Sequence, residues 1–172
     1  EVDSAIGAVI QELKDQGVYN NTLLMFTTDN GMFHGEHKLA GKWYPHEESI
    51  RVPLVIQDPR LPAHKRGISN DEFTLSIDLA PTLLSAANIA VPDTMQGRDM
   101  AELYLQPKSK QAKTTQWRKD FFYEWSLGDN ANAQGHGPID YIPAVHALIR
   151  KDYKYFVWPQ TNYTQLFHIE SD

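Results

Sequence analysis

The first residues that could do chemistry are Asp29-Asn30-Gly31, which follow directly after an apolar run at 22–28. A carboxylate and an amide carbonyl are oxygen ligands of the kind that Ca²⁺ or Mg²⁺ prefers. Two such ligands do not complete a site, because Ca²⁺ takes about six to eight oxygens. The same tripeptide also suits an ordinary Asx turn, so both interpretations stay open on these residues alone.

A dense mixture of charged residues, glycine and histidine follows between residues 34 and 53. Lys42 is a compact cation on a flexible stem, which suits it to neutralising an oxyanion beside a metal, although a lysine taken alone is more often simply solvated. His34 and His37 are spaced so that one helical turn could present both to one ion. No third ligand of the zinc type lies nearby in sequence, so we do not expect a zinc site.

Composition excludes several classes of protein. The chain has 172 residues, 41% of them hydrophobic, and a net charge of -6, so we expect a folded core and no nucleic-acid partner. No apolar run reaches the roughly 20 residues that span a bilayer. The absence of Cys excludes disulfides and a cysteine nucleophile within these residues. The chain begins almost inside a helical pattern and stops after a strand-like run, so we expect it to be part of a larger protein.

The elements before Asp29 are predicted from apolar spacing. Five apolar residues at helical spacing followed by Gly17 predict a helix over residues 3–16 with one buried stripe. The run at 22–28 does not alternate, which is typical of a strand covered on both faces in a parallel α/β sheet. Ligands gather beyond the carboxyl ends of such strands, which is where Asp29 stands.

Two further elements follow in the first part of the chain. Residues 51–56 form a shorter predicted strand, and Pro53 should lie at its start or near a sheet edge, since proline cannot donate to a ladder. Residues 76–88 carry a helical pattern in which Asp78 is the candidate N-cap.

The composition of the chain changes beyond residue 106. Residues 107–119 carry five basic residues and no acidic one, which is more typical of a solvated linker than of a site. Short aromatic runs then predict a small antiparallel sheet, with strands at 121–125, 144–149, 153–158 and 164–168. The Gly- and Asn-rich segment 126–143 is too long for a hairpin and is predicted to be an excursion that could reach a ligand.

The string TTDNGMFHGEHKLAGKWYPHEESIRVPLVI, at 27–56, resembles the C-terminal half of type I, formylglycine-dependent sulfatases of the alkaline-phosphatase-like superfamily. The resemblance continues through 73–100, 121–125, 147–158 and 165–172. It implies an α/β fold: an incomplete parallel-sheet sulfatase core over residues 1–106, then a linker and a small C-terminal antiparallel sheet with a helix over 107–172.

The resemblance also assigns roles to residues. It implies that Asp29 and Asn30 are ligands of the active-site cation, which we expect to be Ca²⁺ rather than Mg²⁺. Lys42 matches the family lysine that contacts sulfate oxygens, so it is a candidate catalytic and substrate-binding residue. His37 is the second candidate catalytic residue, in a supporting role rather than as a ligand.

Four other residues are candidates for the substrate pocket, either beside Lys42 or in the later excursion: Trp43, His46, His136 and His146. For the histidines an ordinary structural role stays open. Three residues of the E-E-S-x-R-V-P segment are expected to form a buried ion-pair and capping network that anchors the loop to the sheet: Glu47, Glu48 and Arg51.

The chain departs from the family pattern at the nucleophile. The family makes formylglycine from a C/S-x-P-x-R motif, and no such motif occurs here, nor does the family's early Asp-Asp metal pair. We therefore expect formylglycine in an N-terminal half outside these residues, and we expect this chain alone to be inactive.

The functional hypothesis is a sulfatase that hydrolyses sulfate esters of a sulfated carbohydrate or an aryl sulfate. Its expected partner is the N-terminal half of the same protein, and its expected location is periplasmic or secreted. A related phosphodiesterase or phosphonate monoester hydrolase remains an alternative, as does a non-catalytic binding module. An uncovered sheet edge could also let the fragment associate with itself.

Overall fold

The computed structural model describes residues 1–105, 116–126 and 142–171. These residues form two compact units. The described part of the first unit is 1–27 and 54–105, and that of the second is 28–53, 116–126 and 142–171. This grouping differs from a linear division after residue 106, because 28–53 belongs with the C-terminal strands. The domain division of the whole protein stays a prediction.

The first unit begins with α1, Val2–Asp15, which confirms the predicted helix with its ends shifted by one residue. Gly17 ends it in the left-handed region, at φ 71, as the sequence predicts. The predicted buried stripe is wrong for the described residues, since no residue of α1 is buried and Val2 and Val9 are exposed. Helical spacing identifies an apolar face, but other elements must cover it before it is buried.

A two-stranded sheet follows in the same unit. β1, Leu24–Thr27, pairs with β4, Leu54–Gln57, and the two strands are antiparallel. The predicted parallel pairing is therefore not found between these two strands. No residue of β1 is buried, so the predicted cover on both faces is not found among the described residues. An apolar run without alternation also carries no information about strand direction. Pro53 lies just before β4, at the strand start where the sequence places it.

The predicted helix at 76–88 is present at shorter length, as a 3-10 turn at Ser76–Asp78 and then α3, Leu79–Ala86. Asp78 is fully buried, but its side chain does not cap α3. Its carboxylate accepts hydrogen bonds from the backbone N–H groups of Leu75 and Arg98, both at 2.8 Å. The Asp78 carboxylate therefore links residue 75, just before the helix, to residue 98, which lies 20 positions beyond Asp78.

The second unit contains the predicted antiparallel sheet, which is confirmed. Its strands lie in sequence order: β5, Asp120–Trp125; β6, Val145–Arg150; β7, Tyr153–Trp158; and β8, Tyr163–His168. In β6 every second residue is buried, so one face of the sheet carries the core. Residues 127–141, with most of the predicted excursion, lie outside the described residues.

Three short elements from residues 28–53 complete this unit. β2, Phe33–His34, pairs antiparallel with β3, Ala40–Gly41, and α2, Glu47–Ile50, is the helix that accompanies the sheet. Within the described residues no helix is long and apolar enough to cross a membrane.

In the first unit, the Asp58 side chain is almost fully buried and accepts hydrogen bonds from Arg60 and from the Tyr104 hydroxyl. Burial alone raises the pKa of Asp58, but the bonds from Arg60 and Tyr104 outweigh it and hold the pKa below its ordinary value of 3.8. Its contribution to stability is therefore present above pH 3.8 and is lost as the pH falls through the lowered pKa.

We expect Asp58→Asn to lower the free energy of unfolding at pH 7 by about 1–3 kcal/mol, and by less at pH 3. Urea unfolding at both pH values measures the difference, with Asp93→Asn as the control because Asp93 is exposed in the same unit. An equal loss at the two pH values would contradict the role given to the ionised carboxylate.

Candidate functional site

The turn that carries Asp29 and Asn30 is held by its own side chains. An Asp29 carboxylate oxygen accepts the Asn30 N–H at 3.0 Å, and the Thr28 hydroxyl donates to the Asn30 carbonyl at 3.2 Å. The Asn30 amide nitrogen donates to the Gly31 carbonyl at 2.8 Å, which fixes the direction of Asn30 Oδ1. The Asp29 carboxylate bonds the N–H of the next residue, whereas an Asx turn bonds the N–H two residues on, so the Asx turn is not formed here. The ligand role of Asp29 and Asn30 stays a prediction.

Gly31 docks this turn on α2. Its N–H donates to the Ser49 carbonyl at 2.8 Å. A Cβ at residue 31 would stand 2.1 Å from the Glu48 carbonyl oxygen, far inside van der Waals contact. Glycine is thus required here by the close approach of two backbones.

The Lys42 side chain contacts the same turn. Its Nζ donates to Asn30 Oδ1 at 2.9 Å, and the same Nζ lies 5.1 Å from the centre of the Trp43 ring. The structure therefore brings together two of the predicted site residues, Asn30 and Lys42, with Asp29 adjacent in the turn. A tetrahedral oxyanion at this cluster would meet a cation whose position is set by its bond to Asn30.

The ligand atoms of this cluster are of the kind that a hard cation prefers, but there are too few of them to complete a site. Asp29 and Asn30 offer oxygen atoms, and Asn30 Oδ1 already accepts a bond from a charged ammonium group. Across residues 1–105, 116–126 and 142–171, no group of three or more His, Asp or Glu residues could hold a metal ion. This part of the chain supplies at most a share of such a site.

The segment between the turn and Lys42 has an unusual backbone. His37, Lys38 and Trp43 have positive φ angles of 52, 61 and 76, and Gly35 and Gly41 are also left-handed. Each such non-glycine residue costs on the order of 1–2 kcal/mol, so other contacts must stabilise the loop. The predicted helical turn that would present His34 and His37 to one ion is not formed, because His37 leaves the helical region.

His37 and His46 lie against each other, with ring centres 4.9 Å apart. His37 Nε2 is 3.1 Å from a carboxylate oxygen of Glu48 on α2. The His46 ring is packed among aromatic rings, among them those of Phe33, Phe156 and Phe167. Burial, and next the nearby charges of His37 and Lys154, lower the pKa of His46 to about 4. The surroundings of His46 thus support a packing role, and its predicted contact with substrate stays a prediction.

A cavity of about 280 Å³ opens beside this pair and is lined by His37, His46 and aromatic residues of the same unit, among them Tyr44 and Trp158. Its walls combine aromatic and imidazole rings with Leu39 and Gln165, and neither Lys42 nor the 28–31 turn lines it.

The predicted ion-pair network anchors the loop to the sheet through Glu47. A carboxylate oxygen of Glu47 is 2.5 Å from Nζ of Lys154, which is buried on β7 and also donates to the Pro45 carbonyl at 3.1 Å. Burial lowers the pKa of Lys154, and the bond to Glu47 opposes that effect. Arg51 makes the predicted ion pair with Glu47, at 3.7 Å, but the predicted burial is wrong for both: their side chains are 81% and 41% exposed because both extend toward solvent.

Trp43 and His146, two further candidates for substrate binding, lie in different parts of the unit. The Trp43 ring lies beside Lys42 and packs on the Trp125 ring, with centres 5.4 Å apart. His146 is exposed on β6, whereas its neighbour Ala147 is buried, so His146 occupies the outer face of the sheet. Alternation along β6 therefore does not bring His146 to the face that carries the core. His136 lies outside the described residues.

Sequence reasoning missed three residues of the site's support: Tyr123, Trp125 and Lys154. The Tyr123 hydroxyl donates to the Trp43 carbonyl at 2.9 Å. All three stand in strands that the sequence predicts, but the pattern of alternating aromatic residues does not reveal which face contacts the loop.

We expect Gly31→Ala to lower the free energy of unfolding by about 1–3 kcal/mol, because the new methyl group overlaps the Glu48 carbonyl. Urea unfolding measures the change. Gly7→Ala is the matched control: it lies within α1 with no heavy atom near its Cβ, so it should stabilise by about 0.5–1 kcal/mol. Equal effects of the two substitutions would contradict the docked position of the turn.

His46 should make stability depend on pH. Since its folded pKa is about 4 and its ordinary value is 6.5, its neutral form stabilises the fold fully above pH 6.5, and that contribution is lost as the pH falls toward 4. We expect His46→Phe to flatten the stability profile between those two pH values, whereas His146→Gln on the outer face should leave it unchanged. Thermal unfolding across the pH range measures both, and an unaltered profile in His46→Phe would refute the assignment.

Comparison with known proteins places this arrangement in a family context. A family model described as N-sulphoglucosamine sulphohydrolase, C-terminal, matches residues 35–140, which is more than half of the chain. The chain is 31% identical over 172 residues to an arylsulfatase of Clostridium perfringens, a match that covers 99% of the chain and 32% of the arylsulfatase.

Solved structures agree with the sequence comparison. The structure of BT4656 in complex with its substrate D-glucosamine-2-N,6-O-disulfate has a TM-score of 0.81 and 26% identity, over 99% of this chain and 32% of that one. The phosphonate monoester hydrolase of Agrobacterium radiobacter has a TM-score of 0.78 and 27% identity, over 99% of this chain and 33% of that one. The predicted fold class is confirmed, and the chain spans about a third of the length of these relatives.

Proposed function

Since this chain belongs to the family of C-terminal domains of N-sulphoglucosamine sulphohydrolase, we propose that it forms the C-terminal part of a sulfatase that hydrolyses sulfate esters. The observation that carries the proposal is the contact between Lys42 Nζ and Asn30 Oδ1 at 2.9 Å, one residue after Asp29 in the chain. The proposal is supported by a cation bonded to one hard oxygen donor, with a second such donor on the preceding residue of the turn. That is the combination which binding of a sulfate group beside a divalent cation requires.

Lys42 would hold a non-bridging oxygen of the sulfate group. Its ammonium can donate three hydrogen bonds, and one of them is spent on Asn30 in the absence of substrate. Asn30 therefore orients Lys42 and keeps it near the point where the anion arrives. His37, held by Glu48, would support the loop that carries Lys42.

Asp29 and Asn30 would hold a divalent cation, which we propose to be Ca²⁺ rather than Mg²⁺. Such a cation, when bound, supplies charge that polarises the sulfate and favours ionisation of the nucleophile. The further ligands and the formylglycine nucleophile would come from a part of the protein outside these residues. We accordingly propose that the described chain alone does not turn over substrate.

The substrate class proposed is a sulfated carbohydrate or an aryl sulfate. Trp43 supports a ring-shaped substrate, because an aromatic face beside Lys42 could pack against a sugar or aryl ring. BT4656, with a TM-score of 0.81 to this chain, is solved with a sulfated glucosamine as its substrate. His46 and His136 stay pocket candidates of lower rank than Trp43.

The test is sulfate release by the full-length protein that contains this chain, matured so that formylglycine is present. We expect Lys42→Ala to lower kcat/KM for a sulfate ester by about 100- to 1,000-fold, as loss of one oxyanion donor does. Lys38→Gln is the matched control, since Lys38 is an exposed cation in the same loop. Removal of divalent cations with a chelator should abolish activity in the unaltered protein, and Ca²⁺ should restore it.

A second candidate activity is hydrolysis of phosphonate or phosphate esters, which the likeness to the phosphonate monoester hydrolase favours. Lys42 and the two oxygen ligands would serve either tetrahedral anion. Comparison of kcat/KM for matched aryl sulfate, aryl phosphonate and phosphate diester substrates separates the two. No turnover of any of them by the matured protein would overturn both enzymatic proposals in favour of a binding module.

A further inference from the structure

We propose that Tyr123 on β5 is a positioning residue for Lys42, acting through the backbone carbonyl of Trp43. The inference rests on the proposed function for the role of Lys42, but the geometry behind it is independent of any reaction. If the inference holds, the C-terminal sheet helps to position the Lys42 ammonium group that binds the anion.

The first step is the backbone of residue 43. Trp43 has a φ of 76, a conformation that a bulky L-residue adopts only when its surroundings impose it. Lys42 is the residue directly before it, so relaxation of Trp43 would change the direction in which the Lys42 side chain leaves the loop.

The second step is the contact that holds this conformation. The Tyr123 hydroxyl donates to the Trp43 carbonyl oxygen at 2.9 Å, across 80 positions of sequence. Tyr123 is half-buried, and burial raises its pKa, so the hydroxyl stays protonated and remains a donor. The bond therefore fixes the direction of the carbonyl group at residue 43, in the peptide unit that follows the left-handed φ.

The third step is the ring of Trp43. Trp125 lies two residues beyond Tyr123 on the same face of β5, and its ring packs on Trp43 with centres 5.4 Å apart. Lys42 Nζ in turn lies 5.1 Å from the centre of the Trp43 ring. β5 therefore holds residue 43 both by its carbonyl and by its ring, and that ring stands beside the ammonium group.

A second strand holds the same loop further along. Lys154 on β7 donates to the Pro45 carbonyl at 3.1 Å and pairs with Glu47. With two strands of the sheet holding the loop at residues 43 and 45–47, loss of the Tyr123 hydroxyl should loosen residue 43 without unfolding the unit. The Tyr123→Phe variant is therefore informative where a larger truncation would not be.

The experiment uses the full-length, matured protein with Tyr123→Phe, and with Tyr155→Phe as the matched control because Tyr155 is exposed on the outer face of the same sheet. The first readout is acetylation of Lys42 by an amine-reactive ester, followed by mass spectrometry. We expect labelling of Lys42 to rise several-fold in Tyr123→Phe, with Lys38 as the internal reference, and to stay unchanged in Tyr155→Phe.

The second readout is turnover of an aryl sulfate. We expect kcat to fall about fivefold to tenfold in Tyr123→Phe, the effect of one hydrogen bond, with a smaller change in KM. In a Lys42→Ala background the same substitution should have no further effect, because its action passes through Lys42. A purely structural role would instead give additive losses and a lower unfolding midpoint.

Unchanged Lys42 labelling, or an additive loss in the double variant, would overturn the inference. Failure of the proposed function is a separate result: the protein would then release no sulfate, while the labelling experiment would still report whether Tyr123 positions Lys42.

Discussion

The candidate site depends on the close backbone contact between Gly31 and α2. Because no side chain separates them, the Gly31 N–H bonds directly to the Ser49 carbonyl, and the whole turn from Thr28 to Gly31 is fixed against the helix. The Asn30 amide is then oriented by its own bond to the Gly31 carbonyl. A lysine side chain has many rotamers, so a fixed acceptor at Asn30 Oδ1 is what defines where the Lys42 ammonium rests.

The loop that carries Lys42 is not stable by its local conformation alone. Left-handed backbone at His37, Lys38 and Trp43 disfavours it, and contacts with neighbouring elements offset that cost: Glu48 holds His37, and Tyr123 holds the Trp43 carbonyl. Lys154 adds a buried cation, whose desolvation is compensated only because Glu47 and the Pro45 carbonyl both face it. Strain at functional sites is normally compensated by surrounding structure in this way.

Much of the fold and part of the candidate site could be predicted from sequence, and the failures have physical causes. The four C-terminal strands were predictable because their runs are short, aromatic and partly alternating, whereas Asp29, Asn30 and Lys42 were singled out by the family resemblance. The strand YKYFVW has large aromatic residues on both faces, so nothing in it says that Lys154 faces inward. Gly31 resembles a residue chosen for turn geometry, whereas the structure requires it for a close contact. An unbroken apolar run predicts a strand but not the antiparallel direction found for β1 and β4.

The grouping of residues in space explains why the C-terminal sheet matters to the site. Tyr123 on β5 comes 80 positions after Trp43 in sequence, yet the contacts place both in one unit. A division of the chain after residue 106 would cut Trp43 from Tyr123 and Pro45 from Lys154. The sheet is therefore better understood as the support of the anion-binding loop than as an appendage to it, because a flexible lysine binds an anion productively only when the backbone beneath it is held.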